Sequence, residues 1–189
     1  MKSIMRSCLG LFVLLTVITG VIYPVFVTGL AKTLFPSKAA GSIVYQGDQA
    51  IGSELIGQNF TDAKYFWGRP SATGPQPYNA TASSGSNQGP LNPALADAVK
   101  GRIEALQSAD PANKLPIPMD LVTASASGLD PEISPQAAQY QASRVAKARK
   151  MSIDHINQLI AANTQDRQWG IFGEPRVNVL KLNLALDGN

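Results

Sequence analysis

SCLGLFVLLTVITGVIYPVFVTGLA, residues 7–31, runs for 25 positions without a charged side chain. A helix needs about 20 apolar residues to cross the hydrocarbon core of a bilayer, so the stretch reads as one transmembrane helix. It divides the chain into a short basic N-terminus (1–6), the span (7–31) and a single soluble domain (32–189). Lys2 and Arg6 before the run, and Gly29-Leu30-Ala31 at its end, also have the form of a secretory signal with a cleavage site. A signal's apolar region is only about 7–15 residues, however, and this one is longer. Cys8 opens the run instead of following it, which does not suit a lipoprotein anchor. Pro24 lies inside the span, where neighbouring helices can satisfy the carbonyl it leaves free. Gly20 and Gly29 bracket it, and small residues let a second helix come close. Gly20, Pro24 and Gly29 are therefore candidate partner contacts. One span cannot enclose a pore, so any transport function needs other chains.

The 189 residues carry 16 Lys and Arg against 13 Asp and Glu. Lys2 and Arg6 precede the span, leaving 14 basic side chains against 13 acidic ones beyond it. The soluble part is near neutral, which argues against a nucleic-acid partner, since phosphates are held by clustered Lys and Arg. Lys32 and Lys38 follow the helix much as Lys2 and Arg6 precede it, so the flanks alone do not orient it. A short basic N-terminus usually stays inside and a long polar domain is translocated, which predicts an extracytoplasmic domain. The sole cysteine, Cys8, lies in the span and gives no disulfide from which to read the compartment.

Beyond Pro36, Ile43–Tyr45 and Ile51–Ile56 read as short strands joined near Gln46-Gly47-Asp48. Residues 57–70, GQNFTDAKYFWGRP, set Phe60, Tyr65, Phe66 and Trp67 among turn formers; Tyr65, Phe66 and Trp67 are further candidates for partner contact. Residues 68–93 are almost wholly Gly, Pro, Ser, Thr, Asn and Ala, yet Tyr78 gives them something to bury, and an ordered irregular loop is expected. Asn92-Pro93 starts a helix on which Leu95, Val99, Ile103 and Leu106 recur, ending before Asp110-Pro111. Ser134-Pro135 starts a second, running to about Lys150 with Ala138, Ala142, Val145 and Ala146 inward. Ser152 starts a third, with Ile153, Ile156, Leu159 and Ile160 inward. Met119–Ser125 reads as a strand, and so does Val177–Leu186, where Leu180, Leu182, Leu184 and Leu186 alternate with Lys181, Asn183 and Ala185. About three helices covering one face of a small, mostly antiparallel sheet would bury that row, giving an α+β class behind one membrane helix.

Chemistry is harder to find. One histidine, His155, rules out a two-imidazole zinc site and reads as a surface residue. No cysteine beyond the span is available as a nucleophile. No GxSxG elbow presents a serine, and Ala124–Gly128 reads as strand end and turn. Asp130 and Glu132 lack the further oxygen ligands of a calcium loop and read as a solvated turn. No GxxxxGK[ST] loop is present to cradle a triphosphate. Arg144, Lys147, Arg149 and Lys150 read as a solvated helix end whose charges complement the dipole. Asn59-Phe60-Thr61 and Asn79-Ala80-Thr81 match the N-glycosylation pattern, but two such short matches in a chain rich in Asn and Thr are weak evidence of used sites. No catalytic or metal-ligating residue emerges.

Four stretches carry a resemblance: ITGVIYPVFVTGL at 18–30, GSELIGQNFTDAKYFWGRPSAT at 52–73, DLVTASASGLDPEISPQAAQYQASRVAKAR at 120–149 and VNVLKLNLALD at 177–187. In them the chain resembles the C chain of the Kdp-type potassium-transporting P-type ATPases. The resemblance implies a single-pass accessory subunit in a bacterial inner membrane. It implies two partners, a channel-like potassium-translocating subunit and a P-type subunit that hydrolyses ATP through an aspartyl phosphate, besides membrane lipid. It further implies a role in assembly and as a catalytic chaperone that raises the ATP affinity of the hydrolysing subunit. Gln58, Asn59 and Phe60 match the family's Gln-Asn-Phe, proposed as nucleotide-related; ATP would be met only within the complex, with no cofactor bound by this chain alone. The side chains themselves read differently: Gln58 and Asn59 offer neutral hydrogen bonds without a cation or phosphate nest beside them, and an external domain cannot touch cytoplasmic ATP. The alternative is a membrane-anchored extracytoplasmic binding module that acts without a pump.

Overall fold

A continuous apolar helix opens the chain in the computed structural model, which describes residues 2–188. It consists of α1 (Lys2–Val17), a π-helical turn at Ile18–Ile22 and α2 (Tyr23–Leu34). Its 33 residues extend about 50 Å at 1.5 Å per residue, enough to cross a hydrocarbon core of about 30 Å. The π turn is how the chain accommodates Pro24. Proline has no N–H to donate, and the turn just before it shifts to i→i+5 bonding, Tyr23 N–H donating to the Ile18 carbonyl. Thr16 and Thr19 return their hydroxyls to the carbonyls of Phe12 and Leu15 at 2.8 and 2.7 Å. Gly20, Pro24 and Gly29 all lie on this helix, exposed.

Two compact units are present, one reaching to Ile43 and one from Val44 onward. The first holds the long helix and a single turn, α3 (Pro36–Ala39). A hairpin of β1 (Ile43–Gln46) and β2 (Gln49–Ser53), closed by Gly47 and Asp48, begins at the last residue of the first unit and otherwise belongs to the second. Gly47 takes φ +59°, a conformation that costs glycine little. The loop from Glu54 to Asn92 contains one short 3-10 turn, at Ala80–Ala82.

Four helices follow. α4 (Pro93–Ala109) is capped by the Asn92 side chain accepting from Ala94 N–H, and α5 (Pro135–Arg149) by Ser134 accepting from Ala137 N–H. In α6 (Ile153–Ala162), Ser152 accepts from His155 N–H. These are the three cap-and-helix starts expected from sequence, and each closes one of the orphan amides of a first turn. α5 is central: Ala137, Ala138, Ala142, Val145 and Ala146 are buried, and their small size lets α6 pack closely. In α6, Ile156 and Ile160 point inward, whereas Ile153 is exposed, contrary to expectation.

Two strands expected from sequence are corrected. Met119–Leu121 is a 3-10 turn, and residues 122–125 form irregular chain. Val177–Leu186 splits into β5 (Arg176–Asn178) and the helix α7 (Val179–Leu186), a fourth helix in the domain. The alternating leucines suggested a strand, but Val179, Leu182, Asn183 and Leu186 are buried at i, i+3, i+4 and i+7, one helical face. Asn178 sets the switch, its side chain accepting from Lys181 N–H as an N-cap. β5 is the central strand of an antiparallel sheet in the order β3-β5-β4, with β3 at Glu132–Ile133 and β4 at Thr164–Gln165. Val177 pairs with Ile133 on one side and Thr164 on the other. The fold is α+β, with α5 and α7 packed on β5 around a core that includes Phe66, Ile133, Val145, Ile156, Val177 and Leu182.

Candidate functional site

Residues 57–70 contain no helix or strand, yet their backbone is held by side chains from two helices. Phe66 N–H donates to Asn183 Oδ1 at 2.8 Å, and Asn183 Nδ2 donates back to the Phe66 carbonyl at 3.0 Å. Trp67 makes the same exchange with Gln141, at 2.8 and 3.1 Å. Gln141 and Asn183 are 1% and 2% exposed, so two buried amides stand in for the neighbouring strand that this segment lacks. Arg144 lies beside Gln141 on α5. It donates to the carbonyls of Ala63 and Tyr65 at 2.6 and 3.0 Å and to Gln141 Oε1 at 2.6 Å, and stacks 4.0 Å from the Trp67 ring centre. Arg149 donates to the Lys64 carbonyl and, with Tyr65 Oη, closes on the Asp187 carboxylate.

This clamp corrects the reading of Arg144 and Arg149 as part of a solvated helix end, whereas Lys147 and Lys150 are exposed as expected. Arg144 is buried, and desolvation pushes its pKa down to about 10, opposed by the charges of Asp110 and Asp62. It remains cationic at neutral pH. Lys147 reaches from the surface to a buried carboxylate, Asp110, at 3.0 Å. Phe66 is fully buried in the core, so it anchors the loop instead of presenting a contact surface. Tyr65 and Trp67 are half-buried, and Phe60 meets Tyr65 with ring centres 5.4 Å apart.

A cleft of about 370 Å³ opens beside the loop. Gln58, Asn59 and Phe60 line it together with Trp67, Arg69 and Arg102. Sequence reasoning found no cation near Gln58 and Asn59, and here the structure differs: the fold brings in two. Arg69 was in plain view within the quoted stretch, whereas Arg102 comes from α4 and left no local signal. Both are partly committed. Arg69 Nη1 pairs with Asp130 at 3.0 Å, and Arg102 donates to the Val122 carbonyl at 2.7 Å, its pKa lowered by desolvation. Arg69 Nε is buried without a hydrogen-bond partner. Gln58 Nε2 donates to the Ile51 carbonyl at 2.6 Å, which ties the cleft to β2, while Asn59 is exposed.

Tyr78 also lines the cleft and donates its hydroxyl to the Arg69 carbonyl at 2.6 Å. Gly57 and Gly68 make room for its ring: a Cβ on Gly57 would run into the ring carbons, and one on Gly68 would lie 2.6 Å from Oη. Asp130 and Glu132 do not form a free turn, since Asp130 pairs with Arg69 and Glu132 with Arg176 at 2.8 Å. His155 is exposed, as expected. Among the described residues, no group of three or more His, Cys, Asp or Glu is placed to hold a metal ion. The arrangement can bind and position; its polar atoms are largely occupied by backbone.

The family model described as the K+-transporting ATPase, c chain, matches residues 5–188. A potassium-transporting ATPase KdpC subunit of Polynucleobacter asymbioticus is 93% identical over 189 residues, the full length of both chains. The protein of the same name from Dechloromonas aromatica is 65% identical over 187 residues, 99% of this chain and 98% of its own. That of Herpetosiphon aurantiacus is 60% identical over 187 residues, 99% and 97% of the two chains. Near-complete coverage at these identities leaves one conclusion: the chain belongs to the KdpC family, the c chains of potassium-transporting ATPases.

Proposed function

We propose that this chain is a non-catalytic accessory subunit of an ATP-driven, high-affinity potassium uptake complex in a bacterial inner membrane. Its apolar helix spans the membrane once, and its domain lies on the extracytoplasmic side. A channel-like subunit carries potassium, a P-type subunit hydrolyses ATP, and this chain stabilises their assembly and raises the ATP affinity of the hydrolysing subunit. The observation that carries this reading is the clamp on residues 62–67. Gln141, Arg144, Arg149 and Asn183 spend their polar atoms on holding an aromatic loop in one conformation, which suits a rigid docking surface and not a reacting centre. On the external side an effect on ATP affinity is indirect, a coupling free energy transmitted through the partner subunits.

A second reading places nucleotide directly against Gln58, Asn59 and Phe60. It is favoured by the Phe60 ring, the unpartnered Arg69 Nε and Arg102 in one cleft. The residues suit an aromatic base better than a triphosphate, because Asp130 already neutralises Arg69 and Arg102 holds a carbonyl. That reading also requires a cytoplasmic domain. A Ser84→Cys chain with Cys8 replaced by Ala decides between them: a membrane-impermeant thiol reagent should label it in intact cells, and labelling only after lysis would sink the external placement.

The accessory role is tested on the complex itself. Potassium-stimulated ATP hydrolysis, measured with and without this chain, should show a half-saturating ATP concentration about tenfold higher in its absence, within the range of usual coupling energies. Unchanged assembly and unchanged ATP dependence would remove the proposal. A module independent of a pump would instead purify alone in mild detergent.

A further inference from the structure

Residues 166–175 connect β4 to β5 and end in an exposed apolar tip. Trp169, Ile171 and Phe172 are 81%, 73% and 59% exposed, and the rings of Trp169 and Phe172 meet edge to face with centres 6.0 Å apart. The tip is rigidly built. Gln168 and Phe172 exchange backbone hydrogen bonds of 2.8 and 3.0 Å, and Ile171 N–H closes the turn on the Gln168 carbonyl at 3.2 Å. Below it, Arg167 pairs with Glu174 at 2.6 Å.

The central residues of the turn, Trp169 and Gly170, both have positive φ, +55° and +74°, the left-handed region that favours glycine. Asn or Gly takes the first of these positions with little strain; a bulky side chain does not. A tryptophan is thus held where the backbone disfavours it and water surrounds it. Folding gains nothing from that placement that asparagine would not supply. Strain of this kind persists where the exposed side chain has a use.

We propose that the Trp169–Phe172 tip is an anchor that seats in an uncharged apolar pocket on another subunit of the potassium-transporting ATPase. The proposal rests on the reading that this chain works inside such a complex. Aromatic residues on a preformed turn are the usual energetic centres of a protein interface, because they bury much area and lose little freedom on docking. The charges around the tip favour a protein over a lipid surface. Interfacial membrane anchors surround their aromatics with surplus Lys and Arg that meet anionic lipid. Here Asp166, Arg167, Glu174 and Arg176 cancel, and both arginines are already paired, Arg167 with Glu174 and Arg176 with Glu132. No cationic rim remains to draw the tip to a bilayer.

The test uses the full chain expressed with its partner subunits. With Trp169→p-benzoylphenylalanine, irradiation of cells should join this chain to another subunit of the complex, identified by mass. A Trp169→Asn/Phe172→Ser chain should leave the detergent-purified complex at least tenfold faster than the parent. The same chain, isolated, should melt no lower than the parent, because the strained turn is relieved. Leu91→Ser, at a residue 96% exposed and outside the tip, should leave dissociation unchanged. Adducts with lipid alone, with a second copy of this chain or with nothing would overturn the proposal, as would equal dissociation of parent and variant. If the parent itself fails to co-purify with any subunit, the reading as a complex member falls, and the docking proposal with it.

Discussion

Tyr78 shows how much of this domain rests on single side chains in irregular structure. Its own φ is +57°, its ring fills space left by Gly57 and Gly68, and its hydroxyl is spent on the Arg69 carbonyl. Burial raises its pKa to about 12, helped by the negative charge of Asp130 and opposed by Arg69. Because the folded-state value lies above the ordinary 10, the phenol's contribution to stability is complete below pH 10 and is lost as pH rises through about 12. Urea unfolding of the parent and of Tyr78→Phe should therefore differ by a constant amount up to pH 10, and the difference should shrink towards pH 12. A difference that does not change across that range would show that the phenol ionises alike in both states. From sequence, Tyr78 was legible as something the Gly- and Pro-rich segment had to bury. The two glycines that admit it were not, since their role depends on a contact between positions 10 and 21 residues apart. Arg144 was misread for the same reason: a cation near a helix end looks solvated until the loop it clamps, about 80 residues earlier in the chain, is in place.

Among the elements, side-chain caps located three helices to within a residue or two, two of them reinforced by a proline in the first turn, because each cap is a local rule about orphan amides. α7 escaped because its leucines satisfy two periods at once and its buried face contains Asn183, a polar residue at the centre of an apolar stripe. That residue is the reason the helix matters. Asn183 is not a core-packing residue that happens to be polar; it is the hydrogen-bonding partner of Phe66. Replacing it by leucine keeps the number and branching of the side-chain heavy atoms, with bulkier methyl ends, and leaves the Phe66 N–H and carbonyl buried without partners. The expected cost is about 2–4 kcal/mol, the penalty for two abandoned backbone groups. Chemical denaturation should show it with the cooperativity of unfolding unchanged. A loss below about 0.5 kcal/mol would mean that water reaches the Phe66 backbone and that the amide exchange is not what orders the loop.

The whole molecule divides its labour by solvent. Every buried core side chain lies in the unit that begins at Val44, whereas the residues of the long helix are almost all exposed, apolar and available to lipid or to other helices. A chain starting at Val44 should accordingly be soluble and unfold cooperatively, with a stability in the ordinary range of about 5–15 kcal/mol. It should nevertheless work poorly. A membrane helix that also meets its partners converts docking of the domain into a second, tethered event, and such linkage typically raises overall affinity about 10²–10⁴-fold. If the chain raises ATP affinity as proposed, the truncated domain added to a complex that lacks it should restore that affinity only at concentrations at least about 100-fold above those needed for the full chain in the same membrane. Restoration by a stoichiometric amount would make the helix a mere leash and move the whole binding energy to the domain. No restoration at any concentration would assign the effect to the helix, where Gly20 lies within the π turn that precedes Pro24 and Gly29 follows in α2. Between these limits the concentration ratio measures the anchor's share directly.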